Sequence, residues 1–211
     1  MKRCVVILFA LLIAPGTAHA DGLLFGQGSN DAMARALDHG AWDGLSDLGN
    51  AYGDGILFGG LALGAEASAH FSGDASQRAF ARDLERSLAL TWGTVWVLKL
   101  SVDERRPDGG DHSFPSGHTA TAFAGATVLA RHGGWRLGVP AYALAVGTGM
   151  GRIEDRRHFL GDVLVGAGLG YGLARLAMRR RDGPFDLLVA PDRLGINLRL
   201  DRKSTRLNSS H

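Results

Sequence analysis

Between positions 31 and 180 apolar and small residues recur at three- and four-residue intervals, and strand-like alternation is scarce. The pattern predicts helices over roughly 31–51, 54–70, 75–102, 118–132, 136–150 and 158–180. Glycine- or proline-bearing joints separate several of them, including "HGGW" at 132–135 and "RRPDGGDHSFPSG" at 105–117. The stretch "GPFDLLVAPDRLGINLRL" at 183–200 lacks helical periodicity and reads as extended. The expected architecture is all-α, a compact bundle of about five to six helices.

The helices are rich in Ala and Gly. In "GAGLGYG" at 166–172, Gly166 with Gly170 and Gly168 with Gly172 form overlapping small-xxx-small pairs. Such pairs let helix backbones approach closely, in membranes or in a tightly packed soluble bundle, and both settings stay open. A helix over 158–179 would run roughly 32 Å, near the ~30 Å of a hydrocarbon layer. Asp162 and Arg175 interrupt it.

Composition narrows the picture. The chain has 211 residues, enough for one domain with a sizeable core. Lys and Arg exceed Asp and Glu by only 23 to 21, which gives no case for nucleic-acid binding. The first twenty residues have the form of a cleaved export signal: "MKR", then the apolar "CVVILFALLIAP", then "AHA", with cleavage expected after Ala20. Cys4, the only cysteine, would leave with it, so neither disulfides nor thiol chemistry is expected. Residues 201–211, "DRKSTRLNSSH", match codon for codon the translation of a common sequencing adaptor, and are expected to be an artefact. The expected organisation is therefore 1–20 signal peptide, 21–182 helical domain and 183–200 C-terminal extension.

Three patches carry candidate chemistry. In "KLSVDERRP", Lys99 is followed by Arg106 and Pro107; "PSGH" occupies 115–118; "GRIEDRRHFLGD" contains Arg152, His158 and Asp162. Residues four apart on a helix share a face. The spacing therefore lets Asp162 accept from one ring nitrogen of His158, holding its tautomer so that the opposite nitrogen can act as a nucleophile; a plain contact on a helix surface is the other reading. Lys99, Arg106 and Arg152 are cations suited to a tetrahedral oxyanion. Ser116 and Gly117 add a hydroxyl and free N–H groups at a helix start. Converging, the patches would cradle a phosphate with two histidines beside it.

In order and internal spacing they resemble the signature motifs of the type 2 phosphatidic acid phosphatase and vanadium haloperoxidase superfamily: K-x6-R-P, P-S-G-H and S-R-x5-H-x3-D. The match spans 99–162. Gly151 stands where the family has a serine, so that hydroxyl contact is missing. The resemblance implies an acid phosphatase/haloperoxidase-like helical fold in which His158 attacks phosphorus, Asp162 orients it and His118 protonates the leaving group. Lys99, Arg106, Ser116, Gly117 and Arg152 would bind the phosphate, with no metal and no cofactor. Arg105, Arg156 and Arg157 fall outside the motifs and read as surface charges, or as charges that steer substrate; His39, His70, His112 and His132 have no ligand spacing.

The function expected from the resemblance is an exported phosphatase of phosphate monoesters or diphosphates, of lipids, working through a phosphohistidine. A soluble periplasmic acid phosphatase of broad specificity is the alternative, and a vanadium-dependent haloperoxidase the remote one. Arg78, Arg82, Arg86, Arg131, Arg136 and Arg179 to Arg181 lie towards the end of the bundle opposite the motifs. That arrangement fits inner-membrane association with the site facing the periplasm, and it also fits a soluble bundle with charged loops.

Overall fold

The computed structural model describes residues 27–37, 43–179, 185–190 and 193–198. The export-signal region and the adaptor-like tail lie outside the described residues. Among the described residues six helices follow in order: α1 (Gln27–Leu37), α2 (Asp43–Gly53), α3 (Ile56–Ser72), α4 (Ala75–Ser101), α5 (Gly117–Glu154) and α6 (Leu160–Arg179). An antiparallel hairpin of β1 (Phe185–Ala190) and β2 (Arg193–Leu198) comes next, with Leu187 opposite Ile196. The expected helical bundle therefore appears, and within 183–200 the described residues form the two strands. The single helix expected over 31–51 is instead two, α1 and α2.

Local chemistry accounts for the joints. Gly73, at φ 71°, ends α3 in the left-handed region and donates its N–H to the Ala69 carbonyl at 3.0 Å. Asp74 then caps α4 by accepting from the Ser76 N–H at 2.7 Å. Helix α5 breaks at Gly134, where φ is 63° and ψ −158°, a conformation that only glycine adopts readily. This is the "HGGW" joint. It matters for function because α5 doubles back there. A side chain built on Gly149 would meet Val163 and Thr119, and one on Gly53 would meet both Thr148 and His118. The start and the end of α5 therefore lie side by side.

The first half of α5 is the central element. Ala120, Ala122, Ala124, Ala126 and Val128 have no exposed surface. Phe58 of α3, also fully buried, lies against Gly125, and α6 packs with Gly166 against the Ser116 carbonyl and Gly170 against the Ala120 carbonyl. Gly168 and Gly172 face open space. Of the two small-residue pairs, then, only one makes helix contact.

A stability prediction follows. A Cβ at Gly170 would stand 2.1 Å from the Ala120 oxygen, and backbone cannot step aside cheaply. Gly170→Ala is expected to cost about 1–3 kcal/mol, whereas Gly168→Ala should be neutral or gain up to ~1 kcal/mol of helix propensity. Parallel thermal unfolding checks this; equal effects would contradict the packing.

Candidate active site

The site is assembled where three chain segments meet: the end of α4, the loop into α5, and the turn between α5 and α6. The loop is tied down by its own backbone. Arg106 N–H donates to the Gly110 carbonyl (2.7 Å), Gly109 N–H to the Arg106 carbonyl (3.0 Å), and Ser113 N–H to the Glu104 carbonyl (2.7 Å). Phe114 and Pro115 are fully buried beneath it. Lys99, half-buried at the end of α4, donates its Nζ to the carbonyls of His112 (2.6 Å) and Ser113 (3.3 Å). Burial, and next the nearby Arg106 cation, lower its pKa to about 8.

The third motif closes in a different way from its helical reading. His158 precedes α6, and its N–H and that of Arg157 both donate to the Arg152 carbonyl, at 3.1 and 3.0 Å. Asp162 sits in the first turn of α6, and its Oδ2 accepts the Phe159 N–H at 3.0 Å, as an acid does at the third position of a capped helix. That cap, rather than a shared helix face, swings the carboxylate towards His158. Nδ1 of His158 lies 3.6 Å from Asp162 Oδ2, beyond ordinary hydrogen-bond length. The buried Ser113 hydroxyl stands between them: it donates to Asp162 Oδ2 and lies 3.5 Å from His158 Nδ1. Nε2 is thus the ring nitrogen left for the cavity that His158 lines. Burial lowers the His158 pKa, with Asp162 opposing.

That cavity has a volume of about 440 Å³ and is lined by Arg106, His118, Arg152, Asp155, Arg157 and His158. Arg152 Nη2 is paired with Asp155 Oδ2 at 2.7 Å, an oxygen that Asn50 Nδ2 also reaches at 3.3 Å. The Nε–H donors of Arg106 and Arg152 are buried without a partner. Buried donors without partners are costly, and an anion would satisfy both. Three guanidinium groups and two histidines therefore face one space.

His118 also lines a second cavity of about 180 Å³, shared with Lys99, Gly117, Asp54, Trp92 and Trp96 among others. Lys99 and Gly117 thus approach from the far side of His118. Ser116 is buried, its N–H donating to the Asp162 carbonyl (3.1 Å) and its hydroxyl paired with Thr119 (2.9 Å). Gly151 is buried at the end of α5. Burial and the Arg152 cation lower the His118 pKa, while Asp54 opposes them. Among the described residues no group of three His, Cys, Asp or Glu side chains is placed to hold a metal ion.

Sequence reasoning missed Ser113, Asp54 and Asp155, and read Arg157 as a surface charge or a substrate-steering one. Arg157 is more than half exposed and pairs with Asp108 at 3.3 Å, yet it lines the cavity. Ser113, lying between two motifs in one loop, and Asp155, lying inside the third, had a positional signal; Asp54 had none. His132 is partnered too, with Asp83 at 2.9 Å.

Residues 76–184, which contain all three motifs, match the family model of the PAP2 superfamily. The chain belongs to the PAP2 superfamily. Over 120 residues this PAP2 chain is 40% identical to "Lipid A 1-phosphatase" of Porphyromonas gingivalis, covering 55% of this chain and 26% of that protein. Over 134 residues it is 33% identical to "Probable diacylglycerol pyrophosphate phosphatase 1" of Schizosaccharomyces pombe, covering 56% and 48%. The match thus spans between a quarter and a half of those two relatives. Two crystal structures share the PAP2 fold. Aquifex aeolicus LpxE has a TM-score of 0.53 at 22% identity, covering 82% of this chain and 94% of that one. The transmembrane PAP2 type phosphatidylglycerolphosphate phosphatase of Bacillus subtilis has 0.56 at 20%, covering 83% and 92%.

Proposed function

We propose that this chain is an exported phosphatase that hydrolyses lipid phosphate monoesters or diphosphates at the periplasmic face of the inner membrane, through a phosphohistidine and without a metal. The observation that carries this reading is the convergence of His118, His158, Arg106 and Arg152 on one cavity, with two buried guanidinium N–H donors unpartnered.

In this reading Nε2 of His158 attacks phosphorus while the bond from phosphorus to the leaving oxygen breaks. The proton on His118 passes to that oxygen, so the alcohol or phosphate departs neutralised. Water then attacks the phosphohistidine, giving its proton to His118, and His158 and inorganic phosphate are released. Arg106 and Arg152, with Lys99, Ser116 and Gly117, offset the charge on the equatorial oxygens. Asp162, held by Ser113 and by the helix cap, keeps Nδ1 of His158 turned away from phosphorus.

Two features support a lipid substrate: the names of the relatives and an exposed apolar stripe beside the site. Trp92, Trp96 and Leu100 follow one another on an exposed face of α4 and lead to Lys99, with exposed Ile56 and Leu57 on α3. Apolar patches of this kind mark contact with lipid or protein, and tryptophans favour the membrane interface. Among the described residues no helix is long and apolar enough to cross a membrane. The arginines at the start of α4 and the break of α5 sit away from the site, in keeping with a periplasmic active site.

The test is an assay of the purified full chain on lipid phosphates in detergent micelles beside their water-soluble headgroup phosphates. Expected are a higher kcat/KM on the lipid forms, activity retained in excess EDTA, and competitive inhibition by vanadate, which adopts the five-coordinate geometry of the transition state. Activity lost to EDTA and restored by zinc or magnesium would contradict the metal-free mechanism, and a preference for soluble phosphates the lipid assignment.

A further inference from the structure

The turn between α2 and α3 reads "YGDGI", and its acid reaches the site from outside the segment that matches the family model. Asp54 Oδ1 lies 3.0 Å from Nε2 of His118. The pair is half open to solvent, with side-chain exposures of 56% for Asp54 and 38% for His118. An exposed pair of this kind is usually worth little by itself. Here the turn that carries it is locked in place. Gly53 has no room for a side chain, since a Cβ would stand 2.5 Å from Thr148 and 3.2 Å from His118. Gly55 has φ 79°, in the left-handed region, and a Cβ there would press on the Trp92 ring at 3.2 Å. Trp92 is fixed in turn, its Nε1–H donating to Thr121 Oγ1 at 2.9 Å. Two glycines and a pinned indole hold Asp54 against the histidine.

Its direction of approach is as telling as the contact. Asp54 lines the second cavity and not the phosphate cavity, whereas His118 lines both. The carboxylate therefore grips one ring nitrogen from behind, which leaves Nδ1 for the leaving group. We propose that Asp54 is the positioning residue of His118, holding its Nε2–H and stabilising its imidazolium so that Nδ1–H can be delivered to the leaving oxygen. The site then contains two acid–histidine pairs, Asp162 with His158 and Asp54 with His118, each setting one ring for its step. This rests on the phosphatase reading above.

The surroundings make such a partner necessary. His118 is faced by Arg152 from the end of α5, by Arg106 from the α4–α5 loop, by Arg157 and Asp155 across the cavity, and by Lys99 from α4. Asp155 is already engaged by Arg152. Burial and the Arg152 cation push the His118 pKa down, and the Asp54 carboxylate acts against them. Removing that carboxylate destabilises the imidazolium. The acid form is then lost at lower pH, and any rate that needs it falls off earlier as pH rises.

The experiment compares the full chain with Asp54→Asn and Asp54→Glu on an alkyl phosphate and an aryl phosphate, across pH, and follows the His118 ring C–H by NMR titration. Asp54→Asn is expected to lower kcat on the alkyl phosphate about 10–100-fold, a part of what a positioned proton donor contributes. It should barely touch the aryl phosphate and should move the alkaline limb of kcat/KM to lower pH. Asp54→Glu should recover part of the loss. The NMR titration of His118 should fall in Asp54→Asn whether or not the chain turns over phosphate esters, so failure of the phosphatase reading shows separately. Equal slowing of both substrates with unmoved profiles overturns the proposal, as does an unmoved His118 titration. A rise in alkyl phosphate activity also overturns it, since Asp54 would then be an inhibitory contact.

Discussion

His158→Ala lowers kcat/KM on the order of 10⁶-fold on every phosphate ester, alkyl or aryl, the scale on which removal of a nucleophile acts. No other group in the phosphate cavity can replace it. Arg106, Arg152 and Arg157 are cations, Asp155 is held by Arg152, and His118 is held by Asp54. The leaving group makes no difference because the first bond to phosphorus cannot form. The variant should stay folded: His158 lies in the turn before α6, and the helix start is held independently by Phe159 N–H on Asp162 and by Leu160 N–H on Asn30 Oδ1 at 2.7 Å. Steady-state kinetics with a thermal-unfolding control check this. Residual activity above a hundredth of wild type would mean that another group attacks.

His118→Ala separates substrates instead. A general acid matters most when the departing oxygen is basic. The variant is expected to lose about 10²–10⁴-fold on an alkyl phosphate and far less on an aryl phosphate with an acidic phenol. The pH profile carries the same signature. The His118 pKa is lowered, so wild-type kcat/KM on the alkyl phosphate should fall as pH rises through a value below the usual imidazole range. The His158 pKa is lowered as well, so its neutral nucleophilic form persists into mildly acidic solution. The aryl phosphate should keep only the limb due to His158. If His118→Ala slows both substrates equally with the fold intact, His118 is a phosphate ligand only, and His112 in the same loop is the next acid to test.

The motifs were legible because their spacing is local: within each, the turn or helix end fixes which side chains can meet. The break at Gly134 was legible for a related reason, since two glycines after a histidine punctuate a helix. What escaped was long-range. Asp54 contacts His118 from 64 positions away and Ser113 contacts Asp162 from 49, and neither pairing leaves a periodic trace. Asp162 shows how a proximity expected from one cause can arise from another, a helix cap in place of a shared face. The glycine run at 166–172 shows the limit of pattern: both pairs look alike, yet only Gly166 and Gly170 meet a neighbouring backbone. The division of 31–51 into two helices did have punctuation, Gly40 after His39 and Gly44 after Asp43, which the apolar periodicity overrode in the reading.

The central claim is covalent: phosphorus passes through a bond to His158. Rapid mixing of the full chain with labelled lipid phosphate, quenching without acid and peptide mapping at neutral pH tests it most directly. The account predicts a label on the peptide that carries His158, labile to acid, stable to base and absent in His158→Ala. Label on a serine or on His118, or full turnover with no labelled enzyme at any time, would contradict it.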